Sequence, residues 1–436
     1  MQIPNEDRII NRTPPKDPND KSEANADNVM LIFDKIVNGD YRKKLYQATS
    51  LPTTPEIAEY LFDVNEKKLK IYYDGKWNEV GSYKLLVDYL VSNETELLEA
   101  LSNIKSYQSI GIKGNICLSD TITLPTLPGI QLIGLGGSLI TPLSGHSILK
   151  FTSRNQLDWI IDGVVFRCMI GVYEKIGDYT IHCITQDRLF QTDELAGKRL
   201  ATSVGYETPY YIYNIVSNTE DTITVDTPIQ SPSSPIFIYW IIPDNANQAM
   251  IQTNDFTDIL IRNCIFNTHS WNIFSGNSLN ILKFINNKIA GRYVNNLFYG
   301  TFQNSIFQNN LFSIGHLQNE SLMPLEYYFY LYGGWCIVNR IAQNFFNAYS
   351  WTTPTKNVIY WNETSASLSA ITIENNWFRC KAPASGDDNY IIYLNASGSP
   401  TRFVFGNVYN TFYGQQFLRD CGGSGEVVHN NGSPGF

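Results

Sequence analysis

The chain has 436 residues, 43% hydrophobic and 17% charged, with 32 basic against 41 acidic side chains and a net charge of -9. That is enough apolar content to bury one large or two moderate cores, and the acidic balance opposes the electrostatic footprint of a nucleic-acid binder. No apolar run approaches the roughly 18 residues that would span a bilayer, and the first thirty residues are polar with scattered acids, so neither membrane insertion nor simple export is expected.

Charge falls unevenly: residues 1–90 hold 28 charged side chains, whereas residues 250–436 hold 20 over about twice the length. Met1 to Asn28 carries Pro4, Pro14, Pro15 and Pro18 among polar residues. Such a segment cannot bury enough apolar surface to fold alone and reads as an extended arm that needs a partner. Val29 to Asn38, apolar at most positions and followed by Gly39, predicts a short helix that completes an arm over residues 1–54. Residues 55–82 predict a small meander of strands at Leu61–Val64, Leu69–Tyr73 and Trp77–Val80, with Asp74-Gly75 as a two-residue hairpin turn. Asn93 with Glu96 then forms a capping-box-like start to a helix with Leu97, Leu98 and Leu101 on one side. Short β-branched runs follow: Ile110, Ile112 and Ile116, then Ile122 and Leu124, then Ile130, Leu132 and Ile133 before Gly134-Leu135-Gly136-Gly137.

One frame holds over distance. Taking Gly163, Asn263, Asn286, Asn309, Gln343, Asn375 and Gly406 as reference, the residue two before is always apolar: Ile161, Ile261, Phe284, Phe307, Ile341, Ile373, Val404. Three residues after lie Phe166, Phe266, Ile289, Phe312, Phe346, Phe378 and Tyr409. One residue after, the last five references are followed by Asn287, Asn310, Asn344, Asn376 and Asn407. A second in-phase pair is Val358-Ile359-Tyr360-Trp361-Asn362 and Ile391-Ile392-Tyr393-Leu394-Asn395. A repeat of this length with short strands fits a stack of coils that bury one continuous core. The fold expected is all-β, a right-handed parallel β-helix with a small N-terminal α/β anchoring region: capping helix and first coils over 83–186, main β-helix over 246–436. The aromatic residues would form an internal ladder. The asparagines after each reference would take the left-handed backbone of a tight corner and bond from coil to coil. The helix near Asn93 would cover the first coil's exposed edge. Residues 187–245 break the frame, with Tyr210-Tyr211-Ile212-Tyr213, Thr222-Ile223-Thr224-Val225 and Ile236-Phe237-Ile238-Tyr239-Trp240 reading as antiparallel strands of a β insertion.

Seven cysteines, at 117, 168, 183, 264, 336, 380 and 421, are widely spaced and contain no C-x-x-C pair, which predicts reduced, buried thiols and neither a disulfide framework nor a zinc site. No helix pattern follows the glycines at 134–137, so no dinucleotide cofactor, and no cofactor of any kind, is expected.

The meander around Lys70-Ile71-Tyr72-Tyr73-Asp74-Gly75-Lys76-Trp77, the capping helix, and coils such as Glu374-Asn375-Asn376-Trp377-Phe378 together resemble bacteriophage tail spikes and tail fibres built on a pectate-lyase-like β-helix. The resemblance covers architecture over about residues 55–436. It implies a homotrimeric virion protein made in the host cytoplasm, whose N-terminal part docks onto other tail proteins and whose distal surface binds or cleaves a host-surface polysaccharide.

Glycoside hydrolysis would need two carboxylates flanking the bond. Glu320, Glu326, Glu363, Asp387 and Asp388 lie where coils are longest and are the candidate catalytic acids; the alternative for each is a solvated loop carboxylate. Elimination would draw instead on His269, His316 or Arg340. Tyr328, Trp335, Trp351 and Trp361, with Tyr327, Tyr330, Tyr332 and Tyr360, are candidates to present flat faces to sugar rings, although alternation along a strand turns about half of such rings inward. No metal constellation is visible.

Overall fold

The computed structural model describes residues 46–48, 60–63, 68–73, 76–79, 87–141, 147–204, 211–230, 237–242, 249–268, 271–292, 296–315, 327–332, 339–349, 357–363, 370–380, 390–396, 401–411 and 416–420. The chain divides into Met1–Leu86 and Val87–Phe436. In the first unit the strands Tyr60–Asp63, Lys68–Tyr73 and Lys76–Glu79 form the meander, and the register closes on Tyr73 opposite Lys76 across the Asp74-Gly75 pair. A fourth strand, Tyr46–Ala48, pairs in parallel with Tyr60–Asp63, so the end of the expected arm belongs to this sheet. The arm's opening stretch and the helix at residues 29–38 lie outside the described residues.

The second unit is a parallel β-helix whose shaft has three faces. Nine strands, from Asn115–Cys117 through Val165–Arg167 and Phe345–Tyr349 to Val408–Thr411, form one wholly parallel sheet, called here the ladder face. The other two faces form one continuous eighteen-strand sheet, because strands such as Asn272–Ile285 run round the corner between them. One, the entry face, holds Leu132, Ile161, Ile261, Phe284, Phe307, Ile341, Ile373 and Val404 in direct register from coil to coil. The other carries Phe274, Phe298, Phe329, Ile359 and Ile392 in the same relation.

The aromatic frame read from the sequence is the inner rung of the ladder face. Phe166 pairs with Phe266, Phe266 with Ile289, Ile289 with Phe312, Phe312 with Phe346, Phe346 with Phe378, and Phe378 with Tyr409. Phe312–Phe346 and Phe346–Phe378 stack at 4.8 Å with interplanar angles of 5° and 4°. That distance is the separation of neighbouring strands, so the ladder is a consequence of register.

The corner between the entry and ladder faces corrects one expectation. The left-handed residue is the reference position itself, with φ between 52° and 69° at Gly163, Asn263, Asn286, Asn309, Gln343, Asn375 and Gly406. The asparagine after it points into the corner and is buried. Asn344 Nδ2 donates to Phe307 O at 2.9 Å and to Asn376 Oδ1 at 3.0 Å, while its Oδ1 accepts from Asn310 N and Nδ2 at 3.0 and 2.9 Å. The same bonds repeat at Asn310 and Asn376, and at Asn287 with the Cys264 N–H as the donor to its Oδ1. A corner interrupts the backbone ladder, and a buried amide there must find other partners. Each carboxamide supplies them.

The first coil is covered by helix α1, Glu94–Asn103, which buries Leu97, Ala100 and Leu101 and leaves Leu98 exposed. Asn93 is its N-cap and accepts from Glu96 N at 3.0 Å, but the Glu96 carboxylate reaches back to Ser92 N and Oγ at 2.7 and 2.9 Å. Those hydrogen bonds hold its carboxyl below the usual range.

The insertion is a closed six-stranded antiparallel barrel of Ile170–Lys175, Thr180–Thr185, Arg199–Val204, Tyr211–Asn218, Thr222–Val225 and Phe237–Ile242. It starts well before residue 187, so two strands assigned from the sequence to the first coils belong to it. Ile170–Lys175 closes the barrel against Phe237–Ile242, with Ile170 opposite Trp240. Its core, including Tyr173, Ile181, Leu200, Tyr213, Ile223 and Tyr239, is continuous with Ile140 and Met169 of the shaft. Arg167 on the ladder face ties it down through Asp187 at 2.6 and 2.9 Å.

Candidate functional site

The third face carries an ordered outer surface. Its strands Asn296–Phe302, Tyr327–Tyr332, Asn357–Glu363 and Tyr390–Ala396 are parallel and in register, so Tyr299, Tyr330, Tyr360 and Tyr393 fall on one line. Inward neighbours Phe298, Phe329, Ile359 and Ile392 are fully buried, which turns the four tyrosines outward. Their rings stack at 5.3, 5.1 and 5.2 Å with interplanar angles of 20°, 21° and 17°. Tyr332 leans on this stack, 4.9 Å from Tyr299 and 5.8 Å from Tyr330. Next to it, Asn395 Nδ2 donates to Asn362 Oδ1 at 3.2 Å and Thr301 Oγ1 donates to Tyr332 O at 2.8 Å. A ring stacked on both sides keeps its rim exposed, not its faces. The row therefore offers edges and phenolic oxygens at a repeat of about one strand spacing.

Two of the sequence-nominated sugar platforms are corrected by burial. Tyr328 and Trp361 are both 0% exposed and belong to the hydrophobic core. Tyr328 packs edge-on against Phe312 and Phe346 at 5.8 and 5.6 Å. Neither presents a face to a ligand. Tyr330 and Tyr360 do point outward, and Tyr299 and Tyr393, which are not among the candidate sugar platforms, complete the row. The signal was present: Leu297-Phe298-Tyr299-Gly300-Thr301 and Tyr328-Phe329-Tyr330-Leu331-Tyr332 extend the pattern at 358–362 and 391–395.

In the sequence, the remaining nominated residues flank strands of the third face, some before and some after them. Glu320 and Glu326 precede the strand Tyr327–Tyr332, and Trp335 follows it. Trp351 precedes Asn357–Glu363, which Glu363 ends. Asp387 and Asp388 precede Tyr390–Ala396. All seven therefore border strands that carry the tyrosine row. Except for the backbone of Glu363, they lie outside the described residues, as do His269 and His316.

The entry face carries three charged pairs among the described residues, Arg262 with Asp162, Lys283 with Asp258 and Arg340 with Glu374. Arg340 is held by Glu374 through both Nε and Nη2, so it is an ion-pair partner, not a cation open to a uronate. Asp258 lies 3.7 Å from Lys283, and its carboxyl is pushed up by burial, with Asp158 adding to the shift and Lys283 opposing it. No cluster of metal-ligating side chains occurs among the described residues. Cys117, Cys168, Cys183 and Cys264 are free, and burial raises the Cys264 thiol to about 12 and the Cys183 thiol to about 11.

No family model matches the sequence. No curated protein matches it either. Solved structures similar to the chain include the tailspike of Acinetobacter baumannii bacteriophage AP22, in complex with capsular saccharide: 10% identity over 79% of this chain and 67% of that chain, TM-score 0.20. A protein of Geobacillus virus E2 shares 10% identity over 88% and 72%, TM-score 0.29. A Yersinia enterocolitica family 28 exopolygalacturonase shares 8% identity over 84% and 82%, TM-score 0.21.

Proposed function

We propose that this chain is a phage tail spike or fibre whose shaft binds a host-surface polysaccharide along the tyrosine row. The observation that carries the reading is the stack of Tyr299, Tyr330, Tyr360 and Tyr393, repeating every 5.1 to 5.3 Å on one outward line. A linear polymer of pyranose rings meets equivalent groups at a comparable repeat, and phenolic oxygens both donate and accept toward sugar hydroxyls. In this reading residues 1–54 dock onto other tail proteins in the virion, supported by their Pro-rich polar sequence, and the spike is a homotrimer, as the family resemblance implies.

The test is binding of the full chain to purified bacterial capsular polysaccharides. Tyr330→Ser with Tyr360→Ser should weaken binding to any responding glycan at least tenfold with circular dichroism unchanged, and undiminished binding would refute the tyrosine row. A second reading, polysaccharide cleavage, draws on the five candidate carboxylates that flank strands of that face in the sequence. It requires new reducing ends or unsaturated products on incubation, lost in Glu326→Gln or Asp387→Asn.

A further inference from the structure

The ladder face is treated differently along its length. In its first three coils Cys117, Ile140 and Arg167 occupy one outward row. There the barrel seats on it: Ile140 is 0% exposed, and Arg167 is clamped by Asp187. Beyond the barrel a neighbouring outward row continues through Val165, Ile265, Lys288, Leu311, Phe345, Trp377 and Val408, each in register with the next. All but Lys288 are apolar. Ile265, Leu311, Trp377 and Val408 are 38%, 38%, 50% and 39% exposed. Phe345 and Trp377 touch edge to face at 5.2 Å, so the strip is continuous at its widest rings.

An apolar strip on an outward face, interrupted only at Lys288, marks an interaction site. Its chemistry says of which kind. Aliphatic Ile, Leu and Val offer a sugar little, while they dry a protein contact well. Beside the strip runs a row of Asn267, Ala290, Ser313, Asn347 and Arg379, polar at every position but Ala290, as an interface rim is. Among the described outward residues of this face from Ile265 onward none is acidic, although the chain carries net charge -9, so two such faces can meet without opposing carboxylates. The strip is also straight and repeats at the coil spacing over six coils, which a globular partner does not match but an identical shaft does.

We infer that the strip Ile265, Leu311, Phe345, Trp377 and Val408 is the surface on which a second copy of this chain packs, continuing the apolar contact that the barrel base makes on the first coils. The inference deepens the proposed function by naming the face through which shafts associate. It places the self-contact on a different face from the tyrosine row.

Sedimentation of the full chain without glycan tests it. The wild type should have the mass of more than one chain. Leu311→Glu with Trp377→Glu should weaken self-association at least tenfold with circular dichroism unchanged, and Leu311→Ser with Trp377→Ser should do so in part if the double glutamate fails to fold. Tyr330→Ser with Tyr360→Ser should stay assembled, because it lies on another face. A single-chain wild type, retained assembly in the ladder-face variants, or loss of assembly in the tyrosine variant would each overturn the inference. Because no glycan is present, failure here is distinct from failure of polysaccharide binding.

Discussion

The shaft and the barrel are built from the same kinds of residue but are specified differently. In the shaft each coil repeats the one before it, and Phe346 lies in register between Phe312 and Phe378. In the barrel no position repeats. Six strands close on themselves, and Leu200, Tyr213 and Tyr239 each fill a different part of one core. A solenoid's stability is a sum over rungs and their interfaces, whereas a closed barrel is lost or kept as a unit.

Breaking the two regions separately sharpens that contrast. Phe312→Ala with Phe346→Ala removes two adjacent rungs and should cost about 3 to 5 kcal/mol each, lowering the shaft's transition in calorimetry. Near-neutral stability would contradict the ladder. Leu200→Ala should cost about 2 to 5 kcal/mol and be felt first in the barrel, read as faster hydrogen exchange over 170–242 with the coils beyond residue 265 still protected.

Within the corner, two neighbouring residues should respond with opposite sign. Asn344→Ala strands the buried Asn310 N–H on the preceding coil and should cost roughly 1 to 3 kcal/mol for each group left unpaired. Gln343 holds φ 56°, a conformation asparagine takes more readily, so Gln343→Asn should stabilise by up to about 1 kcal/mol. Chemical denaturation midpoints report both. Equal destabilisation would mean the left-handed position had been placed on the wrong residue.

The contrast also explains what the sequence made legible. The shaft's interior could be read because one frame recurs, and the capping helix because Asn93 marks its start. The corner asparagines were legible as a polar ladder but not as its geometry: a residue that favours left-handed backbone stands at reference and reference-plus-one positions alike, as in Asn286-Asn287 and Asn309-Asn310. The barrel's first strands were hidden because Ile170–Lys175 and Thr180–Thr185 have the length and composition of coil strands, and only their antiparallel partners distinguish them. On the tyrosine face, strands such as Tyr327–Tyr332 are aromatic on both sides, so composition does not set which ring points inward, and Tyr328 and Trp361 were nominated beside Tyr330 and Tyr360.

Coil register underlies the ladder, the tyrosine row and the proposed self-contact alike, and a disulfide scan reads it directly. Neighbouring strands lie about 4.8 Å apart, within the Cα separation a disulfide bridges. Tyr330→Cys with Tyr360→Cys, paired in register, should oxidise to an intrachain bond detectable by mass, while the diagonal pair Tyr330→Cys with Asn362→Cys should not. Efficient bonding of the diagonal pair with none at 330 and 360 would contradict the stacked architecture.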